Sequence, residues 1–112
     1  MNNPKFQLFQ SEANREFYFR LRAINGEIIL ASEGYTAKAA CLNGIESVKV
    51  NAPNAGRYDS RTANNGQYYF VLTAANRQVI GVSEMYTSAA ARNNGIQAVM
   101  RTAPEAPVED LT

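Results

Sequence analysis

Apolar and polar residues alternate along this chain in short runs. Lys5-Phe6-Gln7-Leu8-Phe9 predicts a first strand, and Ser11 to Arg15 reads as a polar loop. Phe17, Phe19, Leu21 and Ala23 then alternate with Tyr18, Arg20 and Arg22, a period-two pattern that predicts a strand with two unlike faces. Asn25-Gly26 follows, the dipeptide best suited to the two positive φ angles of a type I′ hairpin turn. With those two residues as the turn, Ala23 pairs with Ile28, Leu21 with Leu30 and Phe19 with Ser32. Phe19, Leu21, Ala23, Ile28 and Leu30 then share one face, and Tyr18, Arg20, Arg22, Ile29 and Ala31 the other.

The pattern is written twice. Tyr18 to Pro53 returns as Tyr69 to Pro104 at a constant offset of 51 residues, with 18 of 36 positions identical. Such a repeat implies two copies of one supersecondary unit burying a shared face. In the second copy Phe70, Leu72, Ala74 and Val79 take one face, and Tyr69, Val71, Thr73, Ile80 and Val82 the other. Its turn carries Asn76-Arg77 instead of Asn-Gly. Arginine at positive φ is strained, so this turn is expected to be longer or of another type.

After each hairpin comes Ser-Glu-x-Tyr-Thr and an alanine-rich run. Thr36 and Thr87 are good helix N-caps, and Glu33 and Glu84 lie upstream, near the positive end of the helix dipole. Asn43-Gly44 and Asn94-Gly95 read as Schellman ends. Ala39 and Ala40 would lie far around a continuous axis from Ile45 and Val48, which favours two short helices, 36–43 and 45–51. A continuous kinked helix is the alternative. Both copies close on Ala-Pro-x-Ala and enter an extended stretch. Residues 57–61 thus close the first copy and open the second, which places both copies in one sheet.

At 112 residues the chain suits one domain, and a half of it would be marginal alone. The expected division is a single domain over 1–112, with repeat 1 at about 5–55, repeat 2 at about 57–106 and a closing strand at 107–112. Net charge is +1, without a block of like charges, which argues against a strong phosphate-binding footprint. No apolar run is long enough to span a bilayer, and Met1 to Lys5 lacks an apolar signal core. The expectation is a cytoplasmic protein without membrane partners, a monomer with a weak homodimer as the alternative. Histidine is absent, and Cys41 is the sole cysteine. That removes the commonest general base and any zinc cluster, so neither a catalytic set, a metal nor a cofactor is expected.

Tyr-Phe-x-Leu-x-Ala-x-Asn-Gly-Glu-Ile-Ile, Ser-Glu-x-Tyr-Thr, Asn-Gly-Ile-x-Ser-Val and the closing Val-Glu-Asp-Leu-Thr resemble the YegP-like family of small bacterial and archaeal proteins. The resemblance runs from Lys5 onward. It implies an α+β fold in which three-stranded units, each with a following helix (β-β-β-α), form one antiparallel sheet. The helices lie on one face, and the C-terminal strands are exchanged. No activity, ligand or catalytic residue comes with it. Arg77 in place of the turn glycine and Arg92 in place of Cys41 are departures between the copies.

Two constellations remain as candidates. Ser32, Glu33 and Tyr35, with Ser83, Glu84 and Tyr86, could form twin ligand sites at helix N-termini. A carboxylate there opposes an anion, and capping and corner packing explain these residues more simply. The sheet face bearing Tyr18, Arg20, Arg22, Tyr69, Val71 and Thr73 is the candidate binding surface. Its aromatic and arginine content suits a protein partner first and single-stranded nucleic acid second. Cys41 reads as a buried apolar residue without an activating base.

Overall fold

The computed structural model describes residues 3–112, so Met1 and Asn2 of the N-terminal stretch read above lie outside the described residues. The strands are β1 (Lys5–Gln10), β2 (Phe17–Arg22), β3 (Ile28–Ala31), β4 (Tyr58–Thr62), β5 (Tyr68–Thr73), β6 (Val79–Val82) and β7 (Val108–Asp110). Helix α1 (Lys38–Asn51) follows β3, and α2 (Ala89–Thr102) follows β6. All seven strands form one sheet in the order β4-β5-β6-β3-β2-β1-β7. The two repeats meet at its centre, where Ala31 of β3 lies opposite Val82 of β6. The sheet is mixed, not antiparallel throughout, because β7 runs parallel to β1. A crossover brings β7 back from α2 to the far edge, and such a connection leaves the strand direction free.

The alternating residues form the core. Phe6, Leu8, Phe19, Leu21, Leu30, Phe70 and Leu72 point to one side of the sheet and cluster with Cys41, Ile45, Val48 and Val99 of the helices. Phe19 sets its ring edge-on to Phe6 at 6.0 Å and stacks on Tyr35 at 6.3 Å. The second repeat copies this arrangement, with Phe70 stacked on Tyr86 at 6.4 Å and tilted against Tyr58 at 5.7 Å.

Three expectations need correcting. The first is the hairpin turn. Leu21 pairs with Leu30 as expected, but Arg22, not Ala23, lies opposite Ile28. Gly26 N–H donates to Ala23 O at 2.9 Å, Ala23 N–H donates to Glu27 O at 2.8 Å, and Gly26 has φ 85°. This is a three-residue loop, a tight turn followed by a left-handed residue, and not type I′. Ala74 to Gln78 repeats the same bonds with Arg77 at φ 70°, so this turn is longer than a two-residue type I′ turn, as expected, but it does not differ from the first copy's. Ala63 to Gln67 makes a third copy, with Gly66 at φ 84°. In each loop the asparagine side chain (Asn25, Asn65, Asn76) accepts from the N–H two residues on, which holds the turn whatever residue follows.

The second correction concerns the helices. Each runs unbroken through its glycine. Cys41, Ile45, Val48 and Ala52 are buried at helical spacing, so the core stripe begins at Cys41, while Ala39 is exposed. Gly44 does not end the helix but admits Tyr35: a Cβ there would stand 2.9 Å from Tyr35 Cζ. Gly95 does the same for Tyr86.

The third concerns the caps. Helix α2 is capped one residue later than expected, by Ser88, whose Oγ accepts from Ala91 N–H at 3.0 Å. The N-cap of α1 is Ala37, which has no side-chain bond to offer. Thr36 and Thr87 stay exposed outside the helices, and Glu33 and Glu84 lie beyond the first turn, too far to complement the dipole.

Candidate functional site

The Ser-Glu-x-Tyr segments are joints of the sheet. Ser32 Oγ accepts from Phe19 N–H at 2.9 Å and donates to Glu33 O at 2.9 Å, standing in for a backbone carbonyl where the chain leaves β3. Ser83 does the same for Phe70 N–H and Glu84 O. Tyr35 then rejoins β2 through two backbone bonds with Phe17, and Tyr86 rejoins β5 through Tyr68. Burial raises the pKa of both tyrosine hydroxyls above the ordinary value. Glu33 and Glu84 are exposed, and no side-chain bond engages them among the described residues. The described hydrogen bonds of the two segments serve the sheet, and Glu33 and Tyr35 border a shallow cleft with Gln78, Val79 and Ile80.

The face turned away from the helices is the second candidate. Register carries a single row of side chains across the whole sheet: Asp59, Val71, Val82, Ala31, Arg20, Gln7, Glu109. Tyr18, Arg20 and Arg22 lie on the first repeat's half of this face, and Tyr69, Val71 and Thr73 on the second's. Val71 is only 2% exposed, so it forms the floor of the face and offers little to a partner. Ile29, expected on this face, instead packs into the core, because the register shift in the hairpin puts Ile28 opposite Arg22.

Four residues that the sequence reading left aside complete the cluster. Gln7 Oε1 accepts from Arg20 Nε at 2.9 Å and from Arg22 Nε at 2.7 Å, while Gln7 Nε2 donates to Glu109 Oε1 at 2.7 Å. Lys5 Nζ reaches Glu109 Oε2 at 3.4 Å. The Arg20 guanidinium lies 4.6 Å above the Phe9 ring, and Phe9 stacks on Tyr18 at 5.8 Å. The alternation of β1 already put Lys5, Gln7 and Phe9 on the face opposite Phe6 and Leu8. Glu109 carried no such signal, since its place depends on where β7 docks.

Burial, and then the neighbouring charge of Arg22, lowers the Arg20 pKa, but a guanidinium keeps its proton. The Gln7 amide, with help from Lys5, holds the Glu109 carboxyl below its usual range. Burial pushes the Cys41 thiol up to about 11. Its counterpart Arg92 instead lies 5.5 Å over the Tyr68 ring. Among the described residues, no three His, Cys, Asp or Glu side chains gather to hold a metal, and no helix is long and apolar enough to cross a membrane. The carboxylates with shifted titration move down and the thiol moves up, away from neutrality, so none of these groups is tuned for proton transfer at neutral pH.

Comparison with known proteins agrees with this two-part construction. A family model described as a domain of unknown function (DUF1508) matches residues 12–59 and again 63–110. A UPF0339 protein of Shewanella oneidensis is 51% identical over 100 residues, covering 89% of this chain and 91% of the relative. The UPF0339 protein YegP of Shigella flexneri is 48% identical over 107 residues, covering 96% of each. A solution NMR structure of YegP from E. coli, described as a protein of unknown function, superposes with a TM-score of 0.92. It is 44% identical and covers all of this chain and 96% of that one.

Proposed function

The chain belongs to the UPF0339 family, built from two DUF1508 repeats, and on that footing we propose that it is a non-catalytic binding module that presents its helix-free sheet face to a protein partner. The observation that carries this reading is the arrangement of Arg20, Arg22, Phe9 and Tyr18 around Gln7. Two guanidiniums are oriented by their Nε atoms on one amide oxygen. Apart from the bond of Arg22 Nη1 to Gly26 O at 2.7 Å, no hydrogen bond engages their remaining N–H donors among the described residues. Side chains already fixed in place lose less entropy on binding, and tyrosine and arginine are the residues most enriched where proteins meet.

Strand exchange supports the same reading. We infer that each repeat lends its closing strand to the other. β4 follows α1 but pairs with β5, and β7 follows α2 but pairs with β1. A platform sewn together in this way keeps both halves of the face in fixed relation.

The test compares proteins retained from native lysate by the wild type and by a Tyr18→Ala, Tyr69→Ala variant of equal melting temperature. A partner that binds the wild type and is lost only in the variant supports the proposal; identical retained sets refute it. Single-stranded nucleic acid is the second reading, favoured by the Phe9–Tyr18 stack beside Arg20. Binding of a labelled single-stranded RNA at low salt, weakening steeply as salt rises, would establish it. Absent or salt-insensitive binding would end it.

A further inference from the structure

The two outer edges of the sheet are not equivalent, although the repeats are. Leu8 lies opposite Phe19 as Ser60 lies opposite Phe70, so β1 holds against β2 the place that β4 holds against β5. Lys5, Gln7 and Phe9 accordingly correspond to Arg57, Asp59 and Arg61. The outer edge of β1 is occupied by β7: Phe6 N–H donates to Pro107 O and Leu111 N–H to Leu8 O, each at 2.8 Å, with the Glu109 carboxylate laid against Gln7 and Lys5. β4 ends the strand order, and no strand lies beyond it among the described residues.

β4 is built to receive one. Its ladder with β5 runs from Tyr58 to Thr62 without a bulge or a proline, and four of its five residues are exposed. These are the properties of an edge that accepts an added strand, and only charge guards it. Arg57, Asp59, Arg61 and Arg77 line a cleft of about 470 Å³ beside it, where the first repeat has a smaller one of about 200 Å³ bounded by Lys5, Gln7, Arg22 and Gly26. Asp59 is tied to Arg61 at 2.9 Å; Arg57, whose Nε donates to Asn51 Oδ1 at 3.0 Å, and Arg77 have no ion-pair partner among the described residues. Arg77 holds φ 70° where both sister turns have glycine, and no hydrogen bond or ion pair engages its exposed guanidinium among the described residues. A strained backbone that places a free cation over a cleft points to use of that cation.

We propose that the β4 edge docks an acidic extended segment of a partner protein. The segment adds in parallel, as β7 adds to β1, and its carboxylate enters the cleft between Arg57 and Arg77. The cleft lies at the outer border of the helix-free face and shares Asp59 and Thr73 with it, whereas the arginine cluster around Gln7 lies at the opposite end of the sheet.

The experiment titrates a synthetic Ala-Pro-Val-Glu-Asp-Leu-Thr peptide, the sequence of residues 106–112, into the isotope-labelled full chain and follows backbone NMR shifts. Shifts are expected at 57–62 and at Arg77, with affinity falling as salt rises. Combining Arg57→Ala with Arg77→Gly should weaken binding about tenfold, through loss of charge-assisted hydrogen bonds. Arg77→Gly gives this turn the asparagine-glycine pair of its two sister loops, so the fold is retained. A peptide with glutamine for glutamate and asparagine for aspartate should bind as weakly as the double variant does. Tyr18→Ala, on the first repeat's half of the sheet, should leave peptide affinity unchanged. Shifts centred on 5–10, no binding at about millimolar peptide, or affinity indifferent to the arginine changes would each overturn the proposal.

Discussion

Gly44→Ala should destabilise this protein, although glycine to alanine inside a helix ordinarily stabilises it by about 1 kcal/mol. The added Cβ would stand 2.9 Å from Tyr35 Cζ and 3.1 Å from Phe19 Cε2. Tyr35 cannot withdraw cheaply, because two backbone bonds with Phe17, at 2.7 and 2.8 Å, pin its main chain to β2. Its ring is held against Phe19 as well. Overpacking of this kind costs about 1–3 kcal/mol, and a displaced aromatic pair forfeits about 1 kcal/mol more. After subtracting the helix gain, the net loss is about 1–3 kcal/mol, or a fall in Tm of about 4–12 °C for a domain of this size. Thermal and urea melts with an unchanged m value would measure it. The control is the same change in a Tyr35→Ala background, where only the 3.1 Å approach to Phe19 Cε2 remains and that ring has room to shift, so alanine should lower Tm far less than it does in the wild type. An unchanged or higher Tm for Gly44→Ala alone would refute the claim that this glycine exists to admit the tyrosine ring.

Phe19→Ala, which empties a site 1% exposed between the Phe6 and Tyr35 rings, should cost about 3–5 kcal/mol in urea denaturation, and a loss under about 1 kcal/mol would contradict its central place. Cys41, buried and with its thiol pushed up to about 11, should react with a disulfide reagent at pH 8 far more slowly in the native protein than in urea; prompt native labelling would show that the helix opens readily. Hydrogen bonds from Lys38 and then Thr112 hold the Asp110 carboxyl down at about 2. A folded pKa below the unfolded value of about 3.9 adds stability that is complete above pH 4 and lost as pH falls toward 2. Asp110→Asn should therefore flatten part of the acid limb of a Tm-against-pH curve, and an unaltered limb would show the contact is not held in solution.

Alternation in β2 and β5 separated the two faces of the sheet correctly at Phe19, Leu21, Arg20 and Arg22, because strand geometry makes side-chain direction a local property. The same rule could have placed Lys5, Gln7 and Phe9 beside the arginines. It failed at Ala23, where a left-handed residue shifts the pairing by one position, and no side-chain pattern records that shift. It failed again at Gly44 and Gly95, which serve as helix ends in most contexts and here serve as floors for an aromatic ring.

The amino-acid sequence by itself determined the duplication, the strands, the faces of β2 and β5, the positions of the turns and most of the buried residues, since each depends on neighbours a few residues away. The shifted register, however, put Ile28 and Val79 opposite Arg22 and Thr73 and sent Ile29 and Ile80 toward the core. Only the tertiary structure decided that the helices run unbroken, that β7 lies parallel to β1 with Glu109 on the arginine cluster, and that β4 is left with an open edge. Those outcomes depend on which surfaces meet after the chain has closed on itself, and a contact across a hundred residues leaves no periodicity in the residues that make it.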